Sequence, residues 1–267
     1  MTFRRMAYAT ALFALAIPLL AQQQAQQPAQ QQAGPKPKSQ KESDALKKVL
    51  TAQQAKDWDG EILAINNVLE NFADTEYKPL LLSMAMTAAE QKNDYPQTVI
   101  YGERAIQADP NNILGTVMLA EVIAQHTREN DLDKEQSLKK ADDYANKGLD
   151  LIKNSTAPPA GVSVTADQWP QYKKDLSSQA HDALGQTAML RKNYPQAIEH
   201  YKTALSEAAH PDPATMDRLA KAYLDSKQYD DAIATADKVL AMSDAQQVVK
   251  QFAQQLKDQA TKLKSAK

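Results

Sequence analysis

Apolar residues recur at intervals of three and four along most of this chain, with polar or charged residues between them. After Tyr194, for example, Ala197, Tyr201, Ala204 and Leu205 follow at offsets of three, seven, ten and eleven. Because an α-helix turns through about 3.6 residues, these positions share one helical face. The pattern predicts a succession of amphipathic helices, each ended by a short polar turn.

The same spacing recurs around Tyr95 and Tyr229, and in weaker form around Trp58 and Leu138. The five anchors, from Trp58 to Tyr229, lie 37, 43, 56 and 35 residues apart. The shorter intervals suit a helix-turn-helix repeat, and the longer ones indicate insertions. The sequence therefore predicts about five helix pairs.

Small residues at fixed positions predict that the two helices of a pair approach closely. Ala197 and Ala204 lie two turns apart, and Tyr201 between them supplies the bulk that fills the gap to a neighbouring helix. Asn193 and Asp94 stand where a side chain would cap the second helix of a pair.

These residues resemble the tetratricopeptide repeat. Leu184-Gly185, Ala197, Tyr201 and Ala204 match its Leu-Gly, Ala, aromatic and Ala positions, and Pro110 matches its closing proline. The unit at 178–211 matches best, the unit at 212–241 replaces the second aromatic with Ala236, and the unit at 79–112 has Gly102 there.

The resemblance implies an all-α fold: a TPR-like α-solenoid of antiparallel helix pairs over 44–241. It also implies a groove that binds peptides or partner helices, without chemistry of its own. After the repeats, 242–267 begins at Ser243-Asp244 and places Val249, Phe252, Leu256 and Leu263 at helical spacing. That segment is interpreted as a C-terminal capping helix, with self-association through the same stripe as the alternative.

The N-terminus has a different character. Arg4 and Arg5 precede an apolar run that ends before a Gln tract, so 1–21 is interpreted as a signal peptide and the protein as exported, periplasmic or secreted. An uncleaved membrane anchor is the alternative, and the only predicted membrane contact. Residues 22–43, rich in Gln, Pro and Lys, are interpreted as a disordered linker.

Charge and cysteine content narrow the function. The formal net charge is −2, and loss of Arg4 and Arg5 makes it −4, which gives no electrostatic reason to bind nucleic acid. The chain has no cysteine, so neither disulfides nor a lipoprotein attachment site is expected.

No sequence motif for catalysis or cofactor binding is found. His126, His181, His200 and His210 lack metal-ligand spacing and are interpreted as surface or packing residues. There is no Gly-rich phosphate loop and no nucleophile elbow. We therefore expect a protein without catalytic residues, cofactors or a metal.

The candidate binding residues come from the first helices of the pairs, at positions that face the groove in such repeats. They are Thr87, Glu90, Glu121, Gln125, Gln179, Asp182, Gln186, Asp217 and Lys221. Their chemistry is polar and mildly acidic. Trp169, in the irregular segment 154–170, is interpreted either as an exposed partner contact or as a staple that fixes chain entry into the next helix.

The sequence thus favours a non-enzymatic scaffold of the cell envelope that binds a protein or peptide partner. Two alternatives stay open: an accessory or degenerate relative of an envelope peptidase or polymer-processing system, and a glycan or peptidoglycan binder. Neither the partner nor the oligomeric state follows from the sequence.

Overall fold

The computed structural model describes residues 35–159 and 164–266. Its helices in these ranges are Gln40–Gln54 (α1), Trp58–Asn71 (α2), Lys78–Gln91 (α3), Tyr95–Ala108 (α4), Ile113–His126 (α5), Lys134–Asn154 (α6), Trp169–Leu190 (α7), Tyr194–Glu207 (α8), Pro213–Asp225 (α9), Tyr229–Ala241 (α10) and Gln247–Ser265 (α11). The predicted signal peptide and the predicted linker up to residue 34 lie outside the described residues. No helix in the described ranges is both long and apolar enough to span a membrane.

The described residues divide into two compact units, 35–115 with 156–159 and 164–169, and 116–155 with 170–266. In the first unit, α1 packs against α2, α2 against α3 and α3 against α4. In the second unit, α8 packs against α9, and α9 and α10 both pack against α11. Neighbouring helices thus form the packed pairs of an all-α, TPR-like solenoid, as the sequence predicted.

Four of the five repeat anchors are the first residue of the second helix of a pair: Trp58, Tyr95, Tyr194 and Tyr229. Leu138 instead lies one turn inside α6, which begins at Lys134 and has 21 residues. That helix begins one turn earlier than the repeat pattern predicted. The long interval from Leu138 to Tyr194 contains the rest of α6, the irregular segment after it and the 22-residue α7.

The turn between the two helices of a pair has the same backbone conformation in four of the helix pairs. A residue with positive φ ends the first helix: Lys56, Asn93, Lys192 and Lys227, with φ between 55 and 65°. In the last of these turns, the N–H of Lys227 donates to the carbonyl of Leu224 and the N–H of Gln228 to that of Tyr223. This is a Schellman motif, in which a left-handed residue satisfies the free carbonyls of the helix end.

Three of these left-handed positions carry lysine, although glycine adopts this conformation at lower cost. We expect Lys227→Gly to raise the free energy of unfolding by about 0.5–1 kcal/mol. Lys202→Gly, at an exposed position inside α8, is the matched control and should lower it by about 1 kcal/mol. Urea titrations followed by circular dichroism compare the two. Destabilisation by both variants would show that the Lys227 side chain contributes more than its backbone conformation costs.

The close approach of α7 and α8 depends on Gly185. The Tyr201 ring is buried, and a Cβ atom on Gly185 would lie 2.4 Å from its Cε1 atom, so only glycine fits. In α9 and α10 the equivalent residues are Ala220 and Ala236, both buried. Because Ala236 is smaller than the tyrosine at this position in α8, α9 can carry an alanine where α7 has Gly185. On α8, the predicted positions Ala197, Tyr201 and Ala204 are all buried in the core.

The pair α3/α4 does contain a buried aromatic residue, which the sequence analysis considered lost at Gly102. Tyr101, one position earlier, is buried, and the side-chain amide of Asn66 donates to its hydroxyl at 2.9 Å. Asp94 caps α4 as predicted, since its side chain accepts from the N–H of Gln97. Asn193 occupies the N-cap position of α8 but makes no side-chain hydrogen bond to the helix backbone.

The predicted linker is shorter than 22–43, because α1 begins at Gln40. Ser39 caps this helix by accepting from the N–H of Glu42. The carboxylate of Glu42 is buried and accepts from the Thr75 hydroxyl at 2.6 Å. Residues just before the helix are also held in place, since the Tyr77 hydroxyl donates to the carbonyl of Pro35 at 2.6 Å.

The C-terminal helix begins later than predicted, at Gln247 rather than after a Ser243-Asp244 cap. Val249 and Leu256 are buried as expected, but Leu263 is exposed, and Ala253 and Ala260 complete the buried stripe. Ion pairs fasten α11 to α10, for example Lys257 Nζ to Asp237 Oδ1 at 2.7 Å. The helix covers α9 and α10, as a capping helix does.

Candidate partner-binding face

A polar network joins α7 and α9 in the second unit, with the carboxylate of Asp182 at its centre. The Thr215 hydroxyl donates to Oδ1 at 2.9 Å, and Arg218 Nη1 lies 3.1 Å from each carboxylate oxygen. Gln186 Nε2 donates to Oδ2 at 2.7 Å. Asp182 is 7% exposed, so its charge is compensated by a charge-assisted hydrogen bond inside the protein. We call the polar surface formed here by α7 and α9 the α7/α9 face. It consists of Gln179, Asp182, Gln186, Thr215, Asp217, Arg218 and Lys221.

The start of α9 sets the geometry of this network. Asp212 is the N-cap, and its carboxylate accepts from the N–H groups of Ala214 and Thr215 at 3.2 and 3.1 Å. The cap therefore fixes the first turn, in which Pro213 is tolerated because its nitrogen has no helical acceptor. Arg218 follows Thr215 by three residues and lies on the same side of the helix.

The accessible part of the α7/α9 face is less acidic than the sequence predicted. Asp182 and Asp217 are buried, whereas Gln179, Gln186 and Lys221 are partly exposed. Lys221 Nζ pairs with Asp225 Oδ1 at 2.6 Å, one turn along the same helix. The face therefore offers side-chain amides and two cations that already have carboxylate partners.

Asp217 occupies the repeat position of Asp182 but has no comparable partner. It is 3% exposed, and neither of its carboxylate oxygens has a hydrogen-bond partner. Burial raises its pKa from 3.8 to about 7, against a smaller opposing effect of Arg218. Asp217 lacks a partner because of the side chains on α11, the helix that follows its own pair. At three and six residues after its N-cap, α9 carries Thr215 and Arg218, whereas α11 carries the apolar residues Val249 and Phe252.

The other predicted groove residues are less available than expected. Thr87 donates to the carbonyl of Ser83 in its own helix at 3.1 Å, and Glu90 is buried. In the second unit, Glu121 is buried and accepts from Gln125 Nε2 at 2.7 Å. The predicted set is thus divided between the two units, and the structure brings Gln179, Asp182, Gln186, Asp217 and Lys221 onto α7 and α9.

Trp169 does not have the exposed position that a partner contact requires. It is 3% exposed and is the first residue of α7. The helix is preceded by a turn in which Thr165 and Gln168 bind reciprocally: Gln168 Oε1 accepts from the N–H of Thr165, and the N–H of Gln168 points to the Thr165 hydroxyl. This is a capping box, a start signal that the sequence analysis missed.

Sequence reasoning also missed Asp212, Thr215 and Arg218. It considered groove-facing positions one helix at a time, whereas Thr215 and Arg218 contact Asp182 across 33 and 36 residues of chain. Asp212 supports this contact because it caps α9 and lies 3.9 Å from Arg218. The sequence did contain a signal for this contact. Thr215 and Arg218 follow Asp182 by about one repeat length, the spacing at which side chains on successive first helices can form a hydrogen bond or an ion pair.

Within the part of the chain that the structure describes, no group of three or more His, Asp or Glu side chains is arranged to hold a metal ion. The α7/α9 face likewise has no paired nucleophile and base, because its carboxylates are either hydrogen-bonded or enclosed. Its side chains can form hydrogen bonds and ion pairs.

A sequence profile of the tetratricopeptide repeat family matches residues 188–257. The fold resembles a thermophilic TPR protein of Thermus thermophilus, with a TM-score of 0.55, 15% identity, and coverage of 80% of this chain and 98% of that one. A tetratricopeptide repeat protein of Parabacteroides merdae matches with a TM-score of 0.43 and 15% identity, over 85% of this chain and 93% of its own. The sequence has no significant match among curated proteins. Tetratricopeptide repeat proteins generally mediate protein–protein interactions, and the fold is typically a non-enzymatic scaffold.

Proposed function

We propose that this protein is an exported, non-enzymatic scaffold of the cell envelope that binds a peptide or partner protein through the α7/α9 face. The observation that carries the proposal is the bond between Asp182 and Arg218, because it holds polar groups of two successive first helices in fixed positions. Fixed side chains lose little conformational entropy when a ligand binds, so a prearranged face suits recognition.

The proposed ligand is a polar segment that exchanges hydrogen bonds with the amides of Gln179 and Gln186. Partly exposed amide side chains donate and accept, and so they can bind the main chain of a peptide without requiring one particular side chain. Arg218 and Lys221 add no marked preference for an acidic ligand, because Asp182 and Asp225 compensate their charges within the protein.

The envelope location rests on the sequence of 1–21, whose basic start and apolar run are typical of a signal peptide. N-terminal sequencing of the protein purified from an envelope fraction tests this part of the proposal. A mature chain that starts after Ala21 would support export, and an intact Met1 in the cytoplasmic fraction would contradict it.

The binding face is tested by capture of partners from envelope extracts with the mature chain. We expect Gln179→Lys with Gln186→Lys to reduce recovery of a stoichiometric protein partner at least tenfold, because both changes replace hydrogen-bonding amides with cations. Gln196→Lys is the control, since this exposed residue lies on α8, outside the α7/α9 face. Equal loss in the control, or binding to purified wall polymer with no protein partner, would contradict the scaffold.

A further inference from the structure

His181 and His200 face each other between α7 and α8 in the second unit. Their Nδ1 atoms lie 3.2 Å apart, and their ring centroids lie 5.4 Å apart with the ring planes inclined by 28°. Sequence spacing alone did not pair these two histidines, because their positions differ by 19. Two ring nitrogens this close either share one proton or bind one cation between them.

We propose that this histidine pair is a zinc site, in which the two Nδ1 atoms ligate one Zn²⁺ ion and water completes the coordination. The site is separate from the α7/α9 face and does not depend on the identity of any partner. Imidazole nitrogen is a preferred ligand of Zn²⁺, and no cysteine of the chain competes for the ion.

The separation of the two nitrogens fits tetrahedral zinc. Zn–N bonds of about 2.0–2.1 Å at a tetrahedral angle place two ligand nitrogens about 3.3–3.4 Å apart, whereas a right angle would place them about 2.9 Å apart. The observed 3.2 Å is closer to the tetrahedral value. The helix pair therefore already holds the two nitrogens close to the separation that zinc requires.

Nearby carboxylates compensate the charge of a bound cation. Glu207 and Glu199 act electrostatically on His181, and Glu199 and Asp142 act on His200. Oε2 of Glu207 is buried without a hydrogen-bond partner, so a cation nearby would improve its surroundings. Because no group of three ligating side chains is found in the described ranges, we assign Glu207 to charge compensation rather than to direct ligation.

The test is isothermal titration of the untagged, EDTA-treated full chain with Zn²⁺ at pH 7.5 in excess Mg²⁺. We expect one Zn²⁺ per chain with micromolar affinity. His181→Gln and His200→Gln should each weaken binding at least tenfold, whereas His210→Gln, at an exposed histidine outside the pair, should leave it unchanged. Glu207→Gln should weaken binding less than either ligand change.

Nuclear magnetic resonance of the unmodified chain gives a readout that does not depend on folding of the variants. Zn²⁺ should shift the ring signals of His181 and His200 and leave those of His126 and His210 in place. Absence of saturable binding would overturn the site. Unchanged affinity in a folded double variant that combines His181→Gln with His200→Gln, or shifts at the other two histidines only, would do the same.

Discussion

Replacing Asp217 with asparagine should stabilise this protein at neutral pH and leave its stability nearly unchanged at pH 4. The amide has the size and shape of the carboxyl group but no charge to bury. Between pH 7 and 8 we expect the free energy of unfolding to rise by about 2–4 kcal/mol, which is large compared with the total stability of a typical domain.

The direction follows from the raised pKa of Asp217. In the unfolded chain this carboxyl group loses its proton near 3.8, whereas in the folded protein it keeps the proton until about pH 7. Between these values the unfolded state gains from ionisation and the folded state does not, so stability falls as pH rises from about 4 to about 7. A shift of this size corresponds to a loss of about 4 kcal/mol at most, and the loss persists above pH 7.

Asp182 is the matched control, because it has the same repeat position on the preceding first helix. Its carboxylate is bound by Arg218 and Thr215, so Asp182→Asn should destabilise the protein at pH 7.5 rather than stabilise it. Urea titrations of the three proteins from pH 4 to pH 8 provide the comparison. Parallel pH profiles for the wild type and Asp217→Asn would refute the account given for Asp217.

Part of the pH dependence should remain in Asp217→Asn, since Glu61 is a second buried carboxyl group. Burial raises the pKa of Glu61 from 4.5 to about 7. It lies three residues after Trp58, at the position where other units have Ala197 or Ala232. The remaining decrease from pH 5 to pH 7 should therefore disappear in the double variant with Glu61→Gln.

The fold was largely predictable from local periodicity. The second helices begin at Trp58, Tyr95, Tyr194 and Tyr229, the half-buried aromatic residues at which the apolar spacing restarts. Helix ends were less predictable. The start of α1 depends on Glu42, whose carboxylate partner Thr75 is 33 residues away, and no local pattern reveals such a contact.

The candidate site was only half predictable, for a related reason. Position within a repeat identified Asp182 and Asp217 as groove-facing residues of successive first helices. It did not show that Asp182 is compensated by Arg218 while Asp217 is enclosed without a partner, because that difference depends on which side chains the next helix carries. Because α9 and α11 carry different side chains, Asp182 stabilises the protein at neutral pH whereas Asp217, at the same repeat position, destabilises it.

Removal of Arg218 tests the compensation directly. Its side chain is 29% exposed and contacts the nearly enclosed carboxylate of Asp182 at 3.1 Å. Because Arg218→Ala leaves a charge in the protein with only the neutral donors of Thr215 and Gln186, we expect it to destabilise the second unit by about 2–4 kcal/mol. Thermal and urea unfolding at pH 7.5 measure the loss.

A double-mutant cycle separates this charge effect from lost packing of the arginine side chain. Asp182→Asn in the Arg218→Ala background removes the uncompensated charge, so the double variant should be more stable than the sum of the two single losses predicts, by about 1–2 kcal/mol. Strict additivity would mean that Arg218 stabilises the protein through its aliphatic stem alone. In that case the bond to Asp182 would not fix the α7/α9 face, and prearrangement would no longer support peptide binding there.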